Sequence, residues 1–240
     1  MVLEPCTPFL APDRWRRIMA PDCLACGLQP GDPFCPGCEA DFAPATRARC
    51  PRCAARLATP CSAAAAPPCG ACLANPPQFD ATVALGDYRA PLDAMIRALK
   101  SSGRLDIGRA LGSLLARRAR PRLAPGSLVV PVPLALERWR ERGYNQALEL
   151  ARPVAARLGM PLAPAALART RHAVPQQRLG RAQRRHNVVG AFAAGVPLAG
   201  RTIVVVDDVM TTGATLDAAA AALRAGGARH ITNLVVARTP

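Results

Sequence analysis

The chain has 240 residues, half of them hydrophobic, which suits one sizeable domain and a small one. No uninterrupted apolar run reaches the ~18 to 20 residues of a membrane span, and the first residues lack the apolar core of a signal peptide, so the sequence predicts a cytoplasmic protein without a membrane span. Formal net charge is +15 and unevenly placed, with seven Arg against six acids over residues 1–78 and 24 basic residues against ten acids over 79–240; from Leu150 to Val206 there are nine Arg and no acid, a pattern that favours an anionic partner, either the phosphates of a small molecule or nucleic acid.

Residues 1–20 read as a leader with a short basic helix around Trp15. Residues 21–78 are rich in Cys, Pro and Gly and short of hydrophobic periodicity, and all ten cysteines lie between Cys6 and Cys72. Cys23 and Cys26 are followed by Cys35 and Cys38, and Cys50 and Cys53 by Cys69 and Cys72, four CxxC units in all. Each CxxC turns two thiolates toward one point, and two such turns complete a tetrahedron around an ion such as Zn²⁺. Pairing in sequence order gives two structural zinc sites; an interleaved pairing stays open, Cys61 is an alternative ligand at the second site, and Cys6 is spare. Each Zn(Cys)₄ site would carry −2, which takes the small domain from +1 to −3 and leaves any electrostatic contact with nucleic acid to the large domain.

After "ANPPQFD" (74–80), a linker, the rhythm changes. "ATVALGDY" is strand-like, "APLDAMIRALKSSG" an amphipathic helix closed by Gly103, and "LDIGRALGSLLARRARPRL" a second helix. "SLVVPVPL" is a buried strand ending in prolines, and "RGYNQALELARPVAARLG" a helix stopped by Gly159, with Pro153 marking a kink. Residues 169–191 form a loop or long hairpin. "RTIVVVDD" is a strand, "TLDAAAAALRAGG" a helix and "HITNLVVAR" a last strand. Alternating strands and helices predict an α/β fold with a parallel sheet over residues 79–240, preceded by the Cys-rich domain at 21–78.

The stretch "VVVDDVMTTGAT" (204–215) concentrates the chemistry. A buried strand delivers Asp207 and Asp208 at its carboxyl end, where parallel sheets place ligands. Thr211, Thr212, Gly213, Ala214 and Thr215 then lead into a helix, whose first N–H groups attract an anion. Gly213 admits close approach of a phosphate to the backbone, and the threonines add hydroxyl donors. The carboxylates suit the vicinal hydroxyls of a ribose or a divalent ion bridged to them. Together these residues read as a cradle for ribose 5-phosphate. The three histidines form no persuasive acid–base or metal set.

"VVVDDVMTTGAT" resembles the phosphoribosyl pyrophosphate (PRPP) loop of type I phosphoribosyltransferases. With "VVPVPLALERWRERGYNQALELA", "RTRHAVPQQRLGRAQRRHNVVGAF" and the CxxC array, the chain from about Cys23 to Val236 resembles the ComF family of competence proteins, which join a double zinc ribbon to a phosphoribosyltransferase domain. The resemblance implies Mg²⁺ with PRPP, ribose hydroxyls held by Asp207 and Asp208, and a 5-phosphate loop running from Val209 and Met210 through Thr215. It implies a pyrophosphate segment at Pro131, Val132 and Pro133, followed by Arg142, Gly143, Tyr144 and Asn145. It also implies a closing loop over 169–192 that brings Arg169, Gln176, Arg185 and Asn187, and a lysine near the site, Lys100. Ala173 stands where the family often has Thr. Two functions follow: a ComF-like protein of DNA uptake and natural transformation, handling single-stranded DNA beside competence proteins such as a DNA helicase, or a salvage-type phosphoribosyltransferase with an unidentified nitrogen acceptor. Only nine aromatic residues are present, few for a base-stacking surface.

Overall fold

The computed structural model describes residues 22–28, 33–42, 48–58, 66–170 and 190–240. The chain divides into two compact units, residues 1–41 and 42–240. The division falls inside the Cys-rich segment, between its two pairs of CxxC units.

In the first unit the turn around Cys23–Cys26 closes with the Gly27 N–H on the Cys23 carbonyl at 2.8 Å, and Gly27 takes the positive φ of 63° that this turn requires. Helix α1 (Pro36–Phe42) opens with proline at its first position, where a missing N–H costs nothing.

The second unit is built on a four-stranded parallel sheet in the order β1 (Ala81–Asp87), β6 (His230–Arg238), β5 (Thr202–Met210), β2 (Leu128–Pro131). Ile203, Val204, Val205 and Val206 have no accessible surface, which is why β5 reads as a continuous apolar run rather than an alternating one. On one face α4 (Leu105–Ala119) lies against β1 and β6, and α6 (Gln146–Leu158) against β2 and β5. These two helices meet at Gly112, where a Cβ would clash with the Leu150 carbonyl and lie 2.5 Å from Cγ of Pro153. The opposite core joins Val205, Ile203, Ile231 and Val235 to Leu216, Ala219 and Leu223 of α7 (Ala214–Ala225), and to Cys50, Cys53 and Cys72 of the second cysteine group. That group, with the short α2 (Gly70–Ala74), is thus part of the sheet's covering layer.

The remaining elements are α3 (Leu92–Ser101), α5 (Leu136–Arg142) and an antiparallel pair, β3 (Leu167–Arg169) with β4 (Phe192–Ala194). Of the segment 169–191, expected as a loop or long hairpin, residues 171–189 lie outside the described residues. Helix α5 is absent from the sequence expectation. It is short, has no buried residue and carries no apolar stripe of sufficient length to announce it. Among the described residues no helix is long and apolar enough to cross a membrane.

Candidate functional site

All four strands of the sheet run the same way, so their carboxyl ends share one edge. The register sets Asp87 opposite Arg238, and Arg238 opposite Met210. The end of β2 joins this edge through the Val132 N–H, which donates to the Val206 carbonyl at 3.0 Å.

Asp207 and Asp208 sit near the carboxyl end of β5, two residues before its last residue, Met210. Asp208 is buried, and its Oδ2 lies 2.5 Å from Nζ of Lys100 at the C-terminal turn of α3. Its Oδ1 accepts the Val209 N–H at 2.9 Å, while the Asp208 N–H donates to Oδ1 of Asp207 at 2.9 Å. Asp207 keeps some accessible surface at the strand end. Burial first, and the charge of Asp208 second, push its carboxyl well above the ordinary carboxylate range, with Lys100 acting the other way. A carboxyl so placed favours a hydrogen-bonding hydroxyl or a cation beside it, which is what ribose diols or a divalent ion supply.

Beyond β5, Gly213 caps α7 with φ of 86°, a conformation that other residues reach only under strain. Oγ1 of Thr212 accepts the Ala214 N–H at 3.3 Å, and the helix begins at Ala214, one residue before the expected segment. The N-terminal turn of α7 therefore starts six residues after Asp208, with Thr211, Thr212 and Thr215 around it.

The side chains expected around pyrophosphate divide into two groups. Lys100 and Arg142 line one cleft of about 340 Å³ together with Ser101, Gly103, Glu141 and Tyr144. Asn145 is held by two hydrogen bonds: its Oδ1 caps α6 by accepting the Ala147 N–H at 3.0 Å, and its Nδ2 donates to the Val132 carbonyl at 3.0 Å, fixing the segment Pro131–Pro133. The Tyr144 hydroxyl donates to the Leu99 carbonyl and holds the turn that carries Lys100. Arg169 ends β3 with its guanidinium over the Phe192 ring, 5.4 Å from the centroid. Burial and the neighbouring charge of Arg138 lower its pKa. Gln176, Arg185 and Asn187, together with Ala173, lie outside the described residues, as do Cys6, Cys61 and Trp15.

The cysteines form two groups in sequence order, Cys23/Cys26/Cys35/Cys38 and Cys50/Cys53/Cys69/Cys72, with the sulfurs of each group all within 4.8 Å of one another. Sulfurs at tetrahedral positions about 2.3 Å from a zinc ion stand about 3.8 Å apart. Cys26 and Cys35 are 3.9 Å apart and Cys53 and Cys69 3.6 Å apart, so both groups fit that ion. Backbone N–H groups of Cys35 and Cys69 donate to Cys23 and Cys50 at 3.2 Å. Burial raises the Cys23 thiol, but the N–H groups of Cys35, Cys26 and Ala25 outweigh it and bring its pKa to about 6. At Cys50 the same contest, with Cys53, Cys69 and Arg52 donating, ends at about 7. Burial and adjoining sulfurs push Cys38 and Cys72 up.

Two features of this edge escape sequence reasoning. Buried Asp87 is held by Arg49 at 2.8 Å and by Arg56, both from the second cysteine group. Arg238, the first polar side chain after seven buried positions of β6, reaches the Cys53 carbonyl at 3.1 Å. Its place at a strand's carboxyl end was the available signal.

A parallel sheet whose fifth strand carries a carboxylate pair two residues before its end, followed by a threonine–glycine entry into a helix, defines a phosphoribosyltransferase-type α/β protein. The phosphoribosyl transferase domain family matches residues 145–240. DNA utilization protein YhgH of Escherichia coli strain K12 is 36% identical over 173 residues, covering 70% of this chain and 76% of that protein. Competence protein F of Haemophilus influenzae is 33% identical over 168 residues, covering 66% and 73%. Among solved structures, a purine phosphoribosyltransferase from Pyrococcus horikoshii aligns at 18% identity with a TM-score of 0.33, over 66% of this chain and 87% of that one; the fold assignment rests on strand order and the domain match instead. The chain belongs to the ComF family, which includes both named relatives.

Proposed function

We propose that the second unit binds PRPP with Mg²⁺ and that the protein serves DNA uptake and transformation in the cytoplasm, handling single-stranded DNA. The observation that carries the ligand is the pair Asp207 and Asp208, separated by two residues from the Thr211–Thr215 turn, with Lys100 facing Asp208 at 2.5 Å. Asp207 and Asp208 take the ribose hydroxyls or the metal, the N-terminal turn of α7 takes the 5-phosphate, and Lys100 and Arg142 line the cleft beside them, where pyrophosphate would lie. The names of the relatives, DNA utilization protein and competence protein, support the biological setting. The charge excess after residue 79 supports contact with DNA phosphates.

Calorimetry with Mg²⁺ and PRPP tests the ligand: wild type binds, and Asp207→Asn with Asp208→Asn does not. Equal binding by both, or none by wild type, rejects the site. Single-stranded DNA affinity is expected to fall linearly in log K against log salt, and a flat dependence rejects the electrostatic contact.

The cleft beside Lys100 also favours a second reading, a transferase. A nitrogen nucleophile would form a bond to C1 of the ribose as the bond from C1 to the pyrophosphate oxygen breaks. The leaving group departs with the electron pair, and Lys100 and Arg142 offset its charge. Pyrophosphate release with candidate bases tests it.

A further inference from the structure

The guanidinium of Arg238 spans two places that the sequence keeps 158 positions apart, the second cysteine group and the loop after β5. Its Nε donates to the Cys53 carbonyl at 3.1 Å. Its Nη1 donates to the Thr239 carbonyl at 2.7 Å, to the Met210 carbonyl at 3.3 Å and to the Thr211 carbonyl. The Thr239 N–H also meets the Met210 carbonyl, at 3.0 Å. Cys53 is a member of the metal-fitting group, and its turn is pinned again where the Thr82 N–H donates to the Pro51 carbonyl at 3.0 Å. Each of these carbonyl acceptors on Arg238 is neutral.

We propose that Arg238 makes the second cysteine group a working part of the ribose-phosphate site. Closure of the four thiolates around a metal fixes the Cys53 carbonyl. Arg238 carries that order to the Met210 and Thr211 carbonyls, and so to the N–H groups that follow them. Opening the group loosens the loop and weakens anion binding there. Arg238 is a positioning residue, since the atoms it touches are backbone carbonyls and the Thr239 hydroxyl, not ligand. The inference rests on reading residues 211–215 as the phosphate loop.

The test is a double-mutant cycle on the full zinc-loaded chain, with wild type, Arg238→Met, Cys69→Ser and the double variant. Amide hydrogen exchange over residues 207–216 is read without any ligand, and Mg²⁺–PRPP affinity is read separately. Exchange over β6 and α4 serves as the folding control. Losing charged hydrogen bonds of this kind is expected to speed loop exchange about tenfold to a hundredfold in either single variant. The double variant should be no faster than the faster single. Affinity should fall in parallel. Arg238→Lys keeps the charge but cannot span both carbonyl sets, so it should retain part of the affinity while its loop exchange no longer responds to Cys69→Ser. Unchanged loop exchange in Arg238→Met, or additive effects of Arg238→Met and Cys69→Ser, overturns the proposal. If Cys69→Ser fails to fold, the exchange and affinity of Arg238→Met and Arg238→Lys still decide it. Failure of wild type to bind PRPP rejects the ligand reading alone, because the exchange cycle runs without ligand.

Discussion

Lys100→Met should destabilise the protein in a way that Asp208→Asn largely absorbs. Nζ and Oδ2 are 2.5 Å apart, with 27% of the lysine side chain and 7% of the aspartate side chain exposed. At an effective dielectric of about 20, the gross attraction at that distance is about 6 to 7 kcal/mol, most of it offset by the cost of taking both charges from water. Deleting one partner of a fully buried pair costs about 3–5 kcal/mol, because the other charge is left stranded. Water reaches Lys100 from one side, so about 2–3 kcal/mol is the expected cost of Lys100→Met, and about 1–2 kcal/mol the coupling energy recovered in the double variant. Urea unfolding followed by circular dichroism, at pH 7.5 with zinc present, measures all four proteins; m values should stay constant. Single effects that add to within about 0.5 kcal/mol would refute the reasoning, since the two charges would then not be interacting. Lys100 also lowers the pKa of Asp207, so its loss pushes that carboxyl further up and weakens Mg²⁺–PRPP binding at neutral pH.

Other outcomes follow from single features. Asp207 holds its proton in the folded protein at pH values where the unfolded chain has released it. Between about pH 4 and the raised folded value, stability therefore falls as pH rises, and Asp207→Asn should raise Tm at neutral pH while ligand affinity is lost; parallel Tm–pH curves for the two proteins would contradict this. Gly213→Ala places a Cβ at φ of 86° and 2.7 Å from Cε of Met210, and should cost about 1–2 kcal/mol in urea unfolding together with a weaker affinity for PRPP. Gly112→Ala, far from the site, should cost about 1–3 kcal/mol with affinity unchanged, because it forces α4 off α6. Elemental analysis of unchelated protein should give about two zinc ions per chain, and a value near one would reject one of the two cysteine groups as a metal site.

The elements carrying strong period or punctuation were legible in the sequence. The β5 run, its two carboxylates and the Thr–Gly entry to α7 appear where the pattern places them, and CxxC spacing alone suggested the pairing of both cysteine groups. Long-range contacts were not legible. Nothing in "RGYNQ" shows that Asn145 caps α6 and holds the Val132 carbonyl, because that contact joins two segments 13 residues apart. Arg238 looks like any terminal arginine until the parallel register sets it against Met210. Asp87 reads as a strand-end acid until Arg49 and Arg56 close over it from a segment more than 30 residues earlier.

Those contacts bear on how the chain is cut. Composition places a boundary near residue 79, but a fragment starting there loses Cys50, Cys53 and Cys72 from the core that contains Val205, Ile231 and Leu223. It also loses both partners of Asp87 and the Cys53 carbonyl that Arg238 holds. Every 200 Å² of apolar surface uncovered costs about 5 kcal/mol, a large part of the stability of an ordinary domain. Asp87, uncovered at the same time, regains water and adds little to the loss. A fragment of residues 42–240 keeps all of these contacts. It should unfold in one transition with one zinc bound and retain salt-sensitive affinity for single-stranded DNA, whereas 79–240 should be markedly less stable and show a loosened 210–215 loop. Equal Tm for the two fragments would mean that the second cysteine group only rests on the sheet. The loss of DNA binding in 79–240 alone would therefore not locate the DNA surface in the cysteine segment, since the same cut disturbs the loop at the end of β5.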